Sequence, residues 1–279
     1  MERWATGIFT SVAGGLGAGV EAVQRLGVPT VQLHAPGADH RTAVRTEQLR
    51  AQFAASRIAV TVVFVGFPDD DYTTVDRVQQ TVGLVPAGTR AARLRETLDI
   101  ADFAAALGVD AIGMHLGFVT PDRDSADYAS ILEVTRQVCD HCAGNRQYFH
   151  LETGQEEAAR LRAFILDVDR PNLRVNFDPA NMILYGAGEP LAALDRVGEF
   201  VRSVHCKDAS RQRRPGQPWY EDAPLGTGDV NMEAFLRKLD ALGYHGPLTI
   251  EREYSPDQAG DIAAALQLLV DLRTRILGA

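Results

Sequence analysis

Eight times from end to end, the chain alternates between a short run rich in β-branched or aromatic residues and a segment with helical spacing. The runs are Thr6 to Phe9 (TGIF), PTVQLHA, IAVTVVFVGF, VDAIGMHL, YFHLE, NLRVNFD, FVRSVHC and PLTIE. Helices are expected after them at Val20 to Leu26, Thr42 to Ser56, Thr89 to Leu107, Ala126 to Cys142, Gly154 to Leu166, Pro190 to Val197, Met232 to Leu242 and Asp257 to Leu277. Parallel strands are joined only by long crossovers, so alternation of this kind builds βαβ units. Eight units in 279 residues suit a closed α/β barrel, the (β/α)8 TIM barrel, formed as a single domain over residues 1–279. Gly27, Gly108 and Gly243 directly follow helical runs, as C-terminal caps should.

An open, doubly wound sheet would use the same alternation. The glycine run Gly14 to Gly19 after the first strand invites a dinucleotide-binding reading, with Gly15 and Gly17 as the first two glycines of the fingerprint. Val20 stands where the third should fall, so a turn is expected there instead. With 46% hydrophobic and 23% charged residues, the chain can bury a sizeable core and matches neither a disordered nor a membrane protein. A net charge of −9 opposes a nucleic-acid surface and favours small polar ligands. No apolar run approaches the roughly 18 residues of a membrane-spanning helix, and the N-terminus lacks a targeting pattern, so a cytoplasmic protein is expected. Cys139, Cys142 and Cys206 are three and cannot all pair. The first two frame His141 in CDHC, but with no second pair and a place late in a helical run they are read as structural.

Glu152, Asp178, His205 and Glu251 end four successive apolar runs. In a parallel barrel, the carboxyl ends of the strands converge on one mouth. Strand side chains alternate faces, so if these four point inward, Tyr148, His150, Asn176, Ser203, Lys207 and Thr249 do too. Phe149, Leu151, Phe177, Val204, Cys206 and Ile250 then face the helices. Polar residues fall inside at all four strands, where burial demands a partner or an ion. Three carboxylates and an imidazole make a hard donor set for one divalent metal ion, Mn²⁺, Mg²⁺, Co²⁺ or Zn²⁺.

Around this set, His34 ends the second strand with Thr30 and Gln32 on its face, and His115 ends the fourth. Each is a candidate substrate contact, an acid for a leaving group, or a structural strand-end histidine. Gln155 and Glu156 are expected in the first turn of the helix after Glu152, as partners of the ligands or as residues favoured at a helix start. Two connections are long, Phe67 to Gly88 and Asp208 to Asp229. The second holds Arg211, Arg213, Arg214, Trp219 and Tyr220, which suit either a cover over a polyhydroxylated ligand or a contact surface in a homo-oligomer. Lys207 and Arg211 are expected to balance the carboxylates.

The order of ETGQE, NFDPAN, VHCKDA, PLGTGDVN and LTIERE resembles the sugar phosphate isomerase/epimerase superfamily, whose barrel is xylose isomerase-like. That group includes ketose 3-epimerases, hydroxypyruvate isomerase, inosose isomerases and dehydratases, and DNA-repair enzymes of the endonuclease IV type. The resemblance is close in the C-terminal half and architectural in the N-terminal half. It implies that Glu152, Asp178, His205 and Glu251 hold one metal ion, and that Glu152 and Glu251 face each other across the substrate as proton-transfer groups. Ketose epimerases of this family often carry a histidine three residues after the metal-binding aspartate; Asn181 stands there in this chain.

A metal chelated by a carbonyl and the neighbouring hydroxyl stabilises the enediolate left when the adjacent C–H loses its proton. Return of the proton from the opposite face inverts the carbon, return to the neighbouring carbon interconverts aldose and ketose, and departure of a β substituent is elimination. The expected activity is therefore metal-dependent isomerisation or epimerisation of a keto sugar or keto polyol, with a lyase or dehydratase as the alternative. A metal-dependent nuclease is a remote third, because seven histidines on an acidic chain are few for a three-metal site.

Overall fold

The computed structural model describes residues 2–12, 18–212 and 217–278. Gly14 to Gly17 of the glycine run, and Arg213 and Arg214 of the second long connection, lie outside the described residues.

Eight parallel strands form the barrel: β1 (Thr6–Ser11), β2 (Thr30–His34), β3 (Ala59–Val65), β4 (Ala111–Met114), β5 (Tyr148–Glu152), β6 (Leu173–Phe177), β7 (Val201–Cys206) and β8 (Leu248–Ile250). Each pairs with the next, and β8 closes on β1 through Thr6 opposite Leu248 and Ile8 opposite Ile250. A two-residue strand, Ala18–Gly19, runs beside the end of β1. The helices are α1 (Val20–Leu26), α2 (Ala43–Ser56), α3 (Val75–Thr81), α4 (Arg90–Leu107), α5 (Ala126–Gly144), α6 (Ala158–Val168), α7 (Pro179–Tyr185), α8 (Pro190–Val197), α9 (Met232–Ala241) and α10 (Gln258–Leu277). Among the described residues no helix is long and apolar enough to cross a membrane.

The main core fills the shell between strands and helices. Phe149, Leu151, Phe177, Val204, Cys206 and Ile250, the outward set, are all in it and nearly inaccessible, and the Phe177 ring stacks on Phe235 of α9 at 5.8 Å. Phe9, Val62, Phe64 and Ala111 form a separate apolar cluster, and beside it the barrel interior carries a column of hydrogen-bonded polar side chains. Cys139, Cys142 and Cys206 are free and buried, and burial pushes the Cys142 thiol up to about 12.

Three local expectations need correction. The connection Phe67 to Gly88 contains α3, whose start is signalled by Thr74 accepting the Arg77 N–H. A further helix, α7, begins directly after β6: Asp178 is its N-cap and Pro179 opens its first turn, a favoured pairing at a helix start. The helix after β5 starts at Ala158 rather than Gly154. Gly154 adopts φ +154 and passes so close to Asn181 that a Cβ would sit 2.8 Å from the Asn181 Cβ; the backbone is committed to that passage before a helix can begin.

Candidate metal centre

Each residue of the four-membered cluster reaches the centre from within one position of a strand end. Glu152 is the last residue of β5, Asp178 follows β6, His205 is the penultimate residue of β7 and Glu251 follows β8. Their donor atoms lie within 4.8 Å of one another. All four are buried, Asp178 and His205 completely. His205 Nδ1 faces the three carboxylates, 2.7 Å from Glu152 Oε1, 3.2 Å from Glu251 Oε2 and 3.5 Å from Asp178 Oδ2. His205 Nε2 meets Gln32 Oε1 at 2.7 Å.

Asp178 divides its carboxylate between two tasks. Oδ1 accepts the Asn181 N–H at 2.9 Å and so caps α7. Oδ2 is buried and has no hydrogen-bond partner. A fully buried carboxylate oxygen left without a hydrogen bond is costly, and one turned toward two glutamates and an imidazole fits a cation ligand. The position of Asp178 is fixed by Thr153, whose hydroxyl accepts the Asp178 N–H at 2.8 Å and donates to the Asp178 carbonyl at 2.9 Å.

The charges bear on one another strongly. Burial works against the charge on Glu251, yet the Lys207 ammonium and His205 hold its pKa well below the ordinary carboxylate range. Burial likewise opposes the His205 imidazolium, but Glu251 and Glu152 keep its pKa well above the usual value. Burial dominates at Asp178 and raises it. Lys207 donates to Glu251 Oε2 at 2.9 Å and reaches Glu253 Oε2 at 3.4 Å. Burial raises Glu253 to about 7 despite that ammonium.

The cluster lies at a cavity of about 410 Å³, to which Glu152, Glu251, Lys207, Asn181, His34 and His115 all contribute. Asn181 Nδ2 is 3.4 Å from Glu152 Oε1 and 3.3 Å from His115 Nε2, and that histidine nitrogen is 3.2 Å from Glu152 Oε2. His34 packs beside Phe9, ring centres 6.4 Å apart, against Gly66, where a Cβ would come within 2.6 Å of His34 Nε2. Burial lowers the His34 pKa. Trp219 lines the mouth, donates to the Tyr72 carbonyl at 3.0 Å and packs on Tyr185 at 4.8 Å.

Arg211 and Glu156 are placed differently from expectation. Arg211 is exposed and outside the cavity lining, with its guanidinium 2.8 Å from Glu189, just ahead of α8, and its N–H held by Asp229. Lys207 is therefore the cation at the carboxylates, without Arg211. Glu156 lies before α6, not in its first turn, and turns into a separate small cavity, where it accepts the Val119 N–H at 2.8 Å.

Several wall residues gave no clear sequence signal. Phe9 and Phe64 edge the His205 ring at 5.5 and 5.1 Å; their strand parity matches inward positions and could have revealed them. Tyr72, Tyr185 and Tyr254 complete the rim from loops and a helix end, beside Tyr220, which the long connection had already offered as a cover. The long connection after β7 is also less open than its composition suggests. Asp208 accepts the N–H groups of Ala209, Gly226, Gly228 and Val230, which clasps both ends of the loop together.

Comparison with known proteins agrees with this architecture. A xylose isomerase domain protein from Planctomyces limnophilus is 50% identical, superposes with a TM-score of 0.95, and is matched over 99% of this chain and 100% of that one. A ketose 3-epimerase from Arthrobacter globiformis is 29% identical over 116 residues, 42% of this chain and 35% of that protein. An inosose dehydratase from Lacticaseibacillus casei is 21% identical over 131 residues, 43% of this chain and 44% of that protein. The matched stretches thus span less than half the length of these two relatives. The family model for the xylose isomerase-like TIM barrel matches residues 20–272, and the chain belongs to that family.

Proposed function

We propose that this protein is a divalent-metal-dependent isomerase or epimerase that moves a proton at the carbon beside the carbonyl of a keto sugar or keto polyol. The observation that carries this reading is the buried convergence of Glu152, Asp178, His205 and Glu251, with Asp178 Oδ2 lacking a hydrogen bond, at a cavity of about 410 Å³. When bound there, a divalent ion supplies a Lewis acid that polarises a ketone and offsets the carboxylate charge.

Glu152 and Glu251 are assigned the proton transfers. Both line the cavity, and they descend from strands separated by β6 and β7 around the barrel. A carboxylate held ionised is a base, and Lys207 beside Glu251 keeps it so. His115 against Glu152 Oε2 and Asn181 near Oε1 hold the second carboxylate in place. Aromatic side chains line the cavity where the carbon being deprotonated would sit. The relative named as a ketose 3-epimerase supports this reading.

Elimination on the same site is the second reading, supported by the relative named as an inosose dehydratase and by His115. His115 Nε2 stands 3.2 Å from Glu152 Oε2, where a leaving hydroxyl needs an acid, and its Nδ1 is buried without a hydrogen-bond partner. The deciding experiment is incubation in D₂O with a divalent ion and a panel of keto sugars and keto polyols. Deuterium should enter at the carbon beside the carbonyl of at least one of them. Inversion identifies an epimerase, carbonyl migration an isomerase, and loss of a β substituent a lyase. Absence of exchange with every member would overturn the proton-transfer reading.

A further inference from the structure

We propose that Gln32 is a positioning residue for the metal centre: its side-chain amide, oriented by a hydrogen-bond chain through the barrel interior, decides which nitrogen of His205 is presented to the three carboxylates. The inference rests on the metal reading given above. His205 Nε2 lies 2.7 Å from Gln32 Oε1, and an amide oxygen only accepts, so Nε2 carries the hydrogen. Nδ1 is then the nitrogen that faces Glu152, Asp178 and Glu251, and a cation that takes the place of its hydrogen there would meet its lone pair.

What turns the Gln32 oxygen toward His205 is the far end of the same amide. Gln32 Nε2 donates to Asn176 Oδ1 at 3.3 Å. That oxygen also accepts from the Ser203 hydroxyl at 2.6 Å, and Ser203 Oγ in turn meets His150 Nδ1 at 2.9 Å. The five side chains from His150 to His205 come from four different strands and are each at most 4% exposed, so bulk water does not compete for their donors. Turning Gln32 alone would set two acceptor oxygens against each other at Asn176 and oblige His205 Nε2 to accept. Turning Gln32 and Asn176 together gives the reversed chain, in which Nε2 accepts and the hydrogen on Nδ1 is the ring's only one, so an ion cannot displace it and leave a neutral imidazole. The chain has two settings, and only the one seen here is compatible with a metal ligand at Nδ1.

The test combines affinity with a direct view of the imidazole. In Gln32→Leu, the Kd for Mn²⁺ should rise by about 10–100-fold, the usual cost of losing the partner that orients a ligating histidine. Gln32→Glu, which keeps an acceptor oxygen, should recover most of that loss, and Ser203→Ala, one link further away, should cost less than Gln32→Leu. In ¹⁵N-labelled protein loaded with Mg²⁺, His205 should show a protected proton on Nε2 and none on Nδ1. A Kd in Gln32→Leu within about twofold of the unaltered protein, far below that usual cost, or a proton on Nδ1 in the loaded protein, would overturn the proposal. If the unaltered protein binds no divalent ion, the metal reading falls, and the metal-free spectrum decides the role of Gln32. A protected Nε2 proton that is lost in Gln32→Leu sustains that role, and its absence from the unaltered protein ends it.

Discussion

Glu152, Asp178, His205 and Glu251 all sit within one residue of a strand end in the second half of the chain. The first half contributes to the same cavity differently: Phe9 and Phe64 from β1 and β3, His34 and His115 at the ends of β2 and β4, and Tyr72 on the connection before α3. The second half thus supplies the four clustered residues and the rim residues Tyr185, Trp219, Tyr220 and Tyr254, and the first half supplies two histidines and the apolar inner wall. Strand ends are held by the ladders on both sides, so they can keep four ligands within a few ångströms. A wall needs only bulk in roughly the right place. On the proposed function, this division predicts that reaction type and substrate choice can be altered separately along the sequence.

Four substitutions sharpen or break that division, taken from the largest expected effect to the smallest. Glu152→Gln and Glu251→Gln should each lower deuterium exchange by about 10²–10⁴-fold for every substrate in the panel, since an amide cannot take the proton. Undiminished exchange in both would falsify the two-glutamate assignment and point to His34 or His115. Asp178→Asn should raise the metal Kd beyond the roughly 10–100-fold cost of losing an outer partner. Its melting temperature without metal should change little, because asparagine caps a helix about as well as aspartate. Titration calorimetry showing full metal occupancy would remove Asp178 from the ligand set.

Phe64→Ala belongs to the other half and should behave differently. It should re-rank the panel, shifting relative rates between two ketoses by roughly tenfold, while metal affinity stays near that of the unaltered protein. A uniform loss across all substrates would mean that the wall also serves the chemistry. Trp219 should give the smallest signal, a change in fluorescence and in protease sensitivity of the Asp208 to Asp229 connection when a ligand enters. A loop that is insensitive to every ligand the metal site accepts would remove Trp219 from the cover.

Glu156, which lines the smaller cavity on the other side of Glu152, offers a control through stability rather than activity. Burial raises its carboxyl from 4.5 to about 7, so between those pH values the folded chain holds a proton that the unfolded chain has released. Its contribution to stability is therefore lost as pH rises through that window. Glu156→Gln should flatten this slope, with the gain in melting temperature over the unaltered protein growing from pH 5 to pH 8. An equal shift at both pH values would show that Glu156 is not protonated in the fold.

The strands and the four-residue cluster were legible because two independent periodicities agreed: eight alternations set the barrel, and the parity within β5 to β8 put polar side chains inside and apolar ones outside. His34, His115 and Lys207 followed from the same logic of strand ends, and Asn181 from the family resemblance alone. Arg211 did not, because a charge on a loop goes where its nearest opposite charge lies, and Glu189 is far from it in sequence. Unlike Tyr220, the rim residues Tyr72, Tyr185 and Tyr254 were illegible, for a related reason. The backbone that carries Tyr254 is held by Asp222, which accepts the N–H groups of Glu253 and Tyr254 from some thirty residues away and pairs with Arg252. Helix α7 was within reach, since an aspartate before a proline is a recognisable start, but its seven residues hide inside what scans as a loop.

That short helix ties the architecture directly to the proposed chemistry. One oxygen of Asp178 starts α7 and the other looks into the cluster. A lengthened or shortened segment between β6 and α7 would rotate the carboxylate off the centre even with every side chain retained. In the first half, Asp70 likewise clasps its connection, accepting the N–H groups of Phe67 and Gly83, but no member of the four-residue cluster hangs on it. Such a connection can be traded for another of different length and composition, giving the same barrel new appetites, while the step from Phe177 to Asn181 has to be inherited whole.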